Sequence, residues 1–469
     1  MAIFLTICHI LGAISSIHAI MSTRTAQGAV AWAVSLNTFP YVAVPAYWVL
    51  GRNKFQGFVS ARQLVDEELL RVAPEVRAHV EEYMIAHDEL TPALKMVDTL
   101  TDMPFTDGNE MELLIDGEAT FASILEGIAQ AKNYILFQFF IVKDDEIGRQ
   151  IKDALIARAG DGVRVFFLYD EVGSNKLPKR YRRDLEEAGI EVSPFNTTQG
   201  HRNRFQINFR NHRKIVVVDG HTAWIGGHNV GDEYLGRSKE FGHWRDTHSR
   251  LHGPAVIGAQ ISFSEDWYWA TREMPELDWL PDPSPNSNVK ALVIPTGPAD
   301  DRETASLMFV QAISAAQERV WIASPYFVPD EAVLKALELA DLRGVDVRIM
   351  IPDRPDHLLV YLAAFTFLDE LDHTDVGFYR YTKGFLHQKV VLVDDGVGVV
   401  GTANLDNRSL RLNFEVSLLA VDDEFAAEVA AMLEEDFANC RKMRPGEFRE
   451  SPLWFRFAAR TARLFAPIL

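Results

Sequence analysis

Two apolar runs open the chain. From Ala2 to Met21, and again from Ala29 to Leu50, there is no Asp, Glu, Lys or Arg. Each run matches the ~20 residues a helix needs to cross a ~30 Å hydrocarbon layer. Trp32, Tyr41, Tyr47 and Trp48 fall near the ends of the second run, where interfacial aromatics sit. His9, His18, Asn37, Pro40 and Pro45 interrupt the pattern, and packing between two helices can absorb them. The pattern therefore predicts a transmembrane helical hairpin over residues 1–50, with a signal peptide or buried soluble helices as the alternatives. The first run has no basic flank and no convincing small-residue cleavage site, which disfavours the signal peptide. STRTAQG between the runs holds one Arg, whereas GRNKFQGFVSAR after them holds three basic residues. By the positive-inside rule, everything after residue 50 is expected in the cytoplasm.

Residues 51–107 read as a helical juxtamembrane connector, charged in stretches such as QLVDEELLRV. Beyond it, apolar strands alternate with amphipathic helices, and one pattern occurs twice. GVRVFFLYD (162–170) answers GVDVRIMIPD (344–353), and RNHRKIVVVDGHTAWIGGHN answers FLHQKVVLVDDGVGVVGTAN. The alternation predicts an α/β fold of two α/β/α sandwich halves, over 108–270 and 289–440, packed as a pseudo-twofold pair. The Pro-rich stretch 271–288 is the expected linker. In 441–469, Arg456, Arg460 and Arg463 share one helical face, opposite Trp454, Phe457, Leu464, Phe465 and Ile468. That basic amphipathic helix suits a membrane interface or docking on the protein's own core.

Charge narrows the function. Lys and Arg total 47 against 66 Asp and Glu, a net charge of −19, which argues against long nucleic acid as a partner. Cys8 and Cys440 make neither a disulfide framework nor a zinc cluster. One stretch runs against the acidic average. HRNRFQINFRNHRK (201–214) holds Arg202, Arg204, Arg210, Arg213 and Lys214 and no acid, so it reads either as a patch attracting an anionic headgroup or as a solvated loop.

The chemistry gathers in the repeated segment. His212, Lys214 and Asp219 recur as His387, Lys389 and Asp394, and Asn229 and Asn404 each follow their histidine by 17 residues. Residues i and i+2 of a strand share a face, so each His and Lys should point into one pocket. Two lysines, two Asn amides and two histidines around one centre suit a phosphate whose charge grows in the transition state. Lys214, Lys389, Asn229 and Asn404 are the expected phosphate contacts. One histidine can attack phosphorus while the other protonates the departing alkoxide. This needs no metal or other cofactor. Asp246 and Glu415, 34 and 28 residues past their respective histidines, are the expected groups that orient them. Asp219 and Asp394 are expected to fix the turn after each motif. Arg210 and Arg408 are headgroup candidates, and Glu233 and Tyr234 are candidates for shaping an acceptor pocket.

The duplicated motif resembles the HKD signature of the phospholipase D superfamily, in which His212, Lys214, Asp219, His387, Lys389 and Asp394 are the catalytic set. The resemblance extends to bacterial cardiolipin synthases of the membrane-hairpin type through GGHNVGDEYLG, WRDTH, GPAV, VGTANLDNRSLRLNFEV and SPLWFRFAARTARLFAPIL. It implies transfer of a phosphatidyl group from one phosphatidylglycerol to the glycerol hydroxyl of another, through a phosphatidyl-histidine, with either histidine attacking first. Phosphatidylglycerol and anionic membrane lipid are the implied partners, the bacterial inner membrane is the implied location, and there is room for a homo-oligomer. A phospholipase D-type hydrolase yielding phosphatidic acid would use the same residues.

Overall fold

The computed structural model describes residues 2–51, 54–55, 57–63, 79–101, 103–198 and 208–469. Most of the charged connector segment, Arg52, Arg202 and Arg204 lie outside the described residues.

The hairpin expectation is met only in its first helix. α1 (Ala2–Ser22) is long and apolar enough to cross a membrane. The second run does not form one helix. It breaks at Phe39 into α2 (Ala26–Thr38) and α3 (Pro40–Leu50). Pro40 has no N–H to continue the first ladder, and its fixed φ suits the first turn of a new helix. With 13 and 11 residues, these helices rise only ~20 and ~16 Å, short of a hydrocarbon layer. All three pack together around Ala19, Leu36, Ala43 and Tyr47. After them, residues 57–63 and α4 (Pro92–Thr101) are helical.

The body carries the α/β pattern twice. In the first half the strands are β1 (Thr106–Ile115), β2 (Tyr134–Phe139), β3 (Arg164–Asp170), β4 (Glu191–Phe195), β5 (Ile215–Val218), β6 (Thr222–Gly226) and β7 (Thr247–His252). The second half has β8 (Val289–Thr296), β9 (Arg319–Ala323), β10 (Asp346–Pro352), β11 (Gly377–Tyr381), β12 (Val390–Val393), β13 (Val397–Gly401) and β14 (Asn413–Val421). Spatial order outward from the centre is β1-β7-β6-β5-β2-β3-β4 on one side and β8-β14-β13-β12-β9-β10-β11 on the other. The second order is the first with every strand replaced by its repeat. β1 and β8 pair antiparallel at the centre and fuse the halves into one continuous sheet.

Helices cover both faces, so inner strands such as IVVV (β5) and VVLV (β12) are apolar at every position and wholly buried. Equivalent helices start on equivalent caps. Asp145 accepts from Gly148 N ahead of α5 (Glu146–Gly160), and Asp330 from Val333 N ahead of α6 (Glu331–Leu342). Near the carboxyl end, α7 (Leu453–Arg463) docks through Ala459, Ala462 and Phe455, which meets Phe365 at 5.1 Å. Its opposite side leaves Leu453, Trp454 and Phe457 at least 70% exposed. The helix thus both docks on the body and presents an aromatic face to its surroundings.

Candidate active site

The motif segments are extended, but the first ladder starts later than expected. β5 begins at Ile215, so His212, Arg213 and Lys214 sit ahead of it with no partner strand in their own half. Their backbone is held across the molecular centre instead. The pair Arg210–Asn211 runs parallel to Asn413–Phe414, and His212 N donates to Phe414 O at 2.8 Å. The second motif repeats this: Phe385–Leu386 runs beside Trp244–Arg245, and His387 N donates to Arg245 O at 2.8 Å.

These exchanges bring each histidine against the carboxylate of the other half. His212 Nδ1 lies 2.7 Å from Glu415 Oε2, and His387 Nδ1 lies 2.6 Å from Asp246 Oδ2. This corrects the expectation that Asp246 serves His212 and Glu415 serves His387. The partners are swapped. Backbone geometry is the cause, because each motif segment lies beside the residue immediately before the other half's carboxylate. The two motifs lie close enough to feel each other: Lys389 acts on His212, and Asp246 and Lys389 act on Lys214. Phe140 packs edge-on to His212 at 5.0 Å, and Trp244 lies 5.1 Å from His387.

Burial governs the charge states. It lowers both histidines to about 4, outweighing the pull of Glu415 on His212 and of Asp246 on His387. Both rings are therefore neutral near pH 7. Burial likewise lowers Lys214 to about 7 and Lys389 to about 8, against the opposing fields of the two carboxylates. For Asp246, burial pushes the carboxyl up, but Lys389 and His387 outweigh it and hold it well below the usual range. Glu415 is also lowered, by His212 and Lys214 against the same burial cost.

The other expected residues sort by geometry. Lys214 Nζ donates to the His212 carbonyl at 2.6 Å, and Lys389 Nζ to the His387 carbonyl. Each lysine is thus folded back on its own histidine. Asp219 accepts from the N–H groups of Lys132, Asn133 and Tyr134, and Asp394 from those of Gln317, Glu318 and Arg319. Both have positive φ, +53° and +51°, which Asp tolerates better than most residues. They tie the motif turn to the start of β2 or β9 and do not reach the histidine centre.

Asn229 spends its amide on Ile141 N and Tyr234 OH, while Asn404 keeps a buried Oδ1 without a partner among the described residues. A Cβ on Gly227 would stand 1.9 Å from Asp246 Oδ1, so the glycine makes room for the protein's own carboxylate.

Basic residues of the expected patch are largely committed. Arg213 is fully buried and bonds Asp266 Oδ1 at 3.0 Å and Glu415 O at 3.1 Å. Arg408 donates to Asn208 Oδ1, Asn208 O and Ile468 O, so it braces backbone beside the site. Arg210 is half-buried near Asp170 and Glu171. Glu233 is ion-paired with Lys143.

The sequence reading missed a supporting layer. Arg213–Asp266 in the first half corresponds to Gln388–Asp436 in the second, and Arg245 of the first half reaches across to the same carboxylate, its Nε 2.8 Å from Asp436 Oδ1. Its signal was present: Glu-Asp-aromatic occurs at 265–267 and again at 435–437. Among the described residues, no group of three His, Cys, Asp or Glu could hold a metal ion.

Comparison with known proteins agrees with this duplication. A family described as "Cardiolipin synthase, PLD-like domain" matches residues 124–250 and 309–437, one stretch around each histidine motif. Cardiolipin synthase A of Pseudomonas fluorescens (strain SBW25) is 50% identical over 472 residues, covering 100% of this chain and 98% of that protein. Cardiolipin synthase A of Pseudomonas putida (strain W619) is 50% identical, with 99% of this chain and 98% of that protein covered. Among solved structures, phosphatidylserine synthase from Haemophilus influenzae Rd KW20 shares the fold, with a TM-score of 0.58. Its identity is 17%, and the match covers 81% of this chain and 100% of that one.

Proposed function

This chain belongs to the cardiolipin synthase family of phospholipase D-like proteins, and we propose that it condenses two phosphatidylglycerol molecules into cardiolipin and glycerol. The crossed histidine–carboxylate pairing carries the reading. Two neutral imidazoles, each fixed through Nδ1, face one centre from opposite halves, with a lysine beside each.

In the first step, Nε2 of one histidine attacks phosphorus and the bond to the glycerol headgroup breaks. The other histidine gives its proton to the departing glycerol oxygen, leaving a phosphatidyl-histidine. In the second step, the glycerol hydroxyl of another phosphatidylglycerol loses its proton to that second histidine and attacks phosphorus. The P–N bond breaks, cardiolipin forms and both rings regain their starting state. In the free site both histidines are neutral, so the proton that one must carry is stabilised by the phosphodiester anion bound between them. Lys214 and Lys389 supply positive charge for the pentacoordinate phosphorus, and Asn404 has the unfilled buried amide oxygen to meet a hydroxyl.

The catalytic set of this proposal is His212, Lys214, His387 and Lys389, with Asp246 and Glu415 as positioning residues and Asp219 and Asp394 holding the turns. The halves over 108–270 and 289–440, joined by 271–288, are its two units. α1 anchors the enzyme to the membrane, with the body on the cytoplasmic side. The exposed Trp454 and Phe457 with Arg456 and Arg460 suit the headgroup region of an anionic leaflet.

Purified protein in detergent, given phosphatidylglycerol with a chelator present, tests the proposal by its products. Cardiolipin with an equal amount of glycerol is expected. Phosphatidic acid as the sole lipid product would assign hydrolysis instead.

A further inference from the structure

The amino-terminal region bears on how the protein sits in its membrane. A two-span hairpin would place the loop between α1 and α2 on the side opposite the body. The geometry puts that loop on the body itself. Arg24, between α1 and α2, bonds Glu303 at 3.0 Å. Lys54, just after α3, bonds Asp301 at 3.0 Å, and Phe55 N donates to Pro298 O at 3.0 Å. Thus the stretch that enters α2 and the stretch that leaves α3 meet the same short segment of the body, residues 298–303.

The helices between these two anchors double back. Trp32 of α2 meets Tyr47 of α3 with ring centroids 5.2 Å apart, and Leu36 packs in the same cluster as Ala43. Near residue 32 the neighbour is 47 and near 36 it is 43, so α2 and α3 run antiparallel, with their turn at Phe39. α1 lies along both. Asn37 Nδ2 donates to Ser16 Oγ at 2.7 Å, Trp48 Nε1 to Ser15 Oγ at 3.1 Å, and Tyr47 OH lies 2.6 Å from His18 Nδ1. His18, Asn37, Tyr47 and Trp48 thus meet polar partners inside the bundle, as hydrocarbon requires, while His9 is exposed on α1. Outward lie Ile3, Ile7, Ile10, Ile14 and Ile17 of α1, Val30 and Val34 of α2, and Phe39 and Val42 at the turn, all exposed and all apolar.

Resting on the reading of α1 as a membrane span, we propose that the chain crosses the membrane once, at α1. On this proposal α2–α3 is a re-entrant hairpin that dips into the leaflet on the body's side and returns. The partner of its outer face is the acyl-chain layer of that leaflet. Charge agrees independently. In this arrangement Arg24, Lys54 and Arg62, the described basic residues among the first 65, fall on the body's side, bonded to Glu303, Asp301 and Glu265. A two-span hairpin would instead leave Arg24 as the one basic residue of this region on the far side. The carboxyl end also lies on this side: Arg408 N donates to Leu469 O, and Arg411 of the same short helix bonds Glu303, the partner of Arg24. α7 and the re-entrant hairpin would then rest on one leaflet together.

Single-cysteine variants of the full-length protein, built on Cys8→Ser and Cys440→Ser, test the topology with a membrane-impermeant maleimide. Labelling of Ile3→Cys, Gln27→Cys, Phe39→Cys and Glu276→Cys is compared in intact spheroplasts and in inverted vesicles. Each signal is normalised to that in detergent. Gln27→Cys is expected to follow the body marker Glu276→Cys, and Ile3→Cys to show the opposite preference. Phe39→Cys is expected to label only after detergent is added. Gln27→Cys following Ile3→Cys, or Phe39→Cys labelling in intact membranes on the face opposite Glu276→Cys, would overturn the proposal. Labelling does not depend on turnover, so this result stands apart from the fate of the proposed activity.

Discussion

The two halves of the body share a strand order yet differ in almost everything that touches the histidines. The first half orients its partner's histidine with Asp246, which fits because Gly227 has no side chain. The second half uses the longer Glu415, and Thr402 takes the position of that glycine, its hydroxyl bonded to Val416. Glu415 also accepts from Ser409 Oγ at 2.8 Å and Asn413 Nδ2 at 3.1 Å, whereas Asp246 accepts from Thr247 N at 2.9 Å. Beneath the motifs, Arg213 meets Asp266 within the first half, while Asp436 of the second half takes Gln388 of its own half and Arg245 from across the centre. Duplication preserved the scaffold and the reacting atoms. The supports diverged, because each now serves the opposite half.

The strongest way to break this comparison is to treat the halves as independent. His212→Ala and His387→Ala should each lower cardiolipin formation by about 10⁴-fold or more. The double variant should be no worse than either single one, as expected for residues acting as a unit. Additive losses in a lipid-product assay would mean two separate sites. Next, Asp246→Asn and Glu415→Gln should each reduce turnover by about 10²-fold. Histidine NMR distinguishes crossed from local pairing. In Asp246→Asn the acid titration of His387 moves below about 4 while His212 stays, because the lost carboxylate stabilised the imidazolium. A shift at His212 instead would contradict the swap.

The supporting layer is a stability matter. Asp266→Ala leaves the buried Arg213 without its carboxylate, for which a loss of about 3–5 kcal/mol is expected by denaturant melt. Asp436→Ala leaves Arg245 its second carboxylate, Asp116 at 3.2 Å, so its loss should fall at or below the lower end of that range. A difference larger than the range would show that the two halves carry unequal loads.

The smallest effect is on pH. Lys214 and Lys389 are cationic below about 7 and about 8, so turnover should decline as pH rises through that interval and they lose charge. Stability should move the other way. Their folded values lie below the unfolded lysine value, so the unfolded chain holds more protons there and folding gains as pH rises toward the unfolded value. Parallel pH profiles of rate and of melting temperature should therefore diverge between pH 7 and 9.

Much of this was legible along the chain. Repeated spacing identified both motifs, and alternating periodicity indicated the duplicated sandwich. Asp246 and Glu415 could be recognised as carboxylates near a motif, but counting residues along one half favours a local partner. Pairing across the centre depends on two short strand segments of two residues each, too short to leave a periodic signal. Arg213 looked like part of a surface patch because a basic residue among basic residues gives no sign of burial. Its carboxylate, Asp266, lies 53 residues away in sequence. Pro40 was visible as an interruption, but the contacts of Trp32 with Tyr47 and of Leu36 with Ala43 are what show that the chain reverses there.

The exchange of carboxylates also has a consequence in time. During synthesis His212 emerges 203 residues before Glu415, and Asp246 emerges 141 residues before His387. A nascent chain that has completed its first half carries an unoriented histidine and a carboxylate with nothing to orient. On the proposed mechanism, lipid chemistry begins only when the last long strand, β14, closes the sheet, and ribosome-bound intermediates stay silent until then.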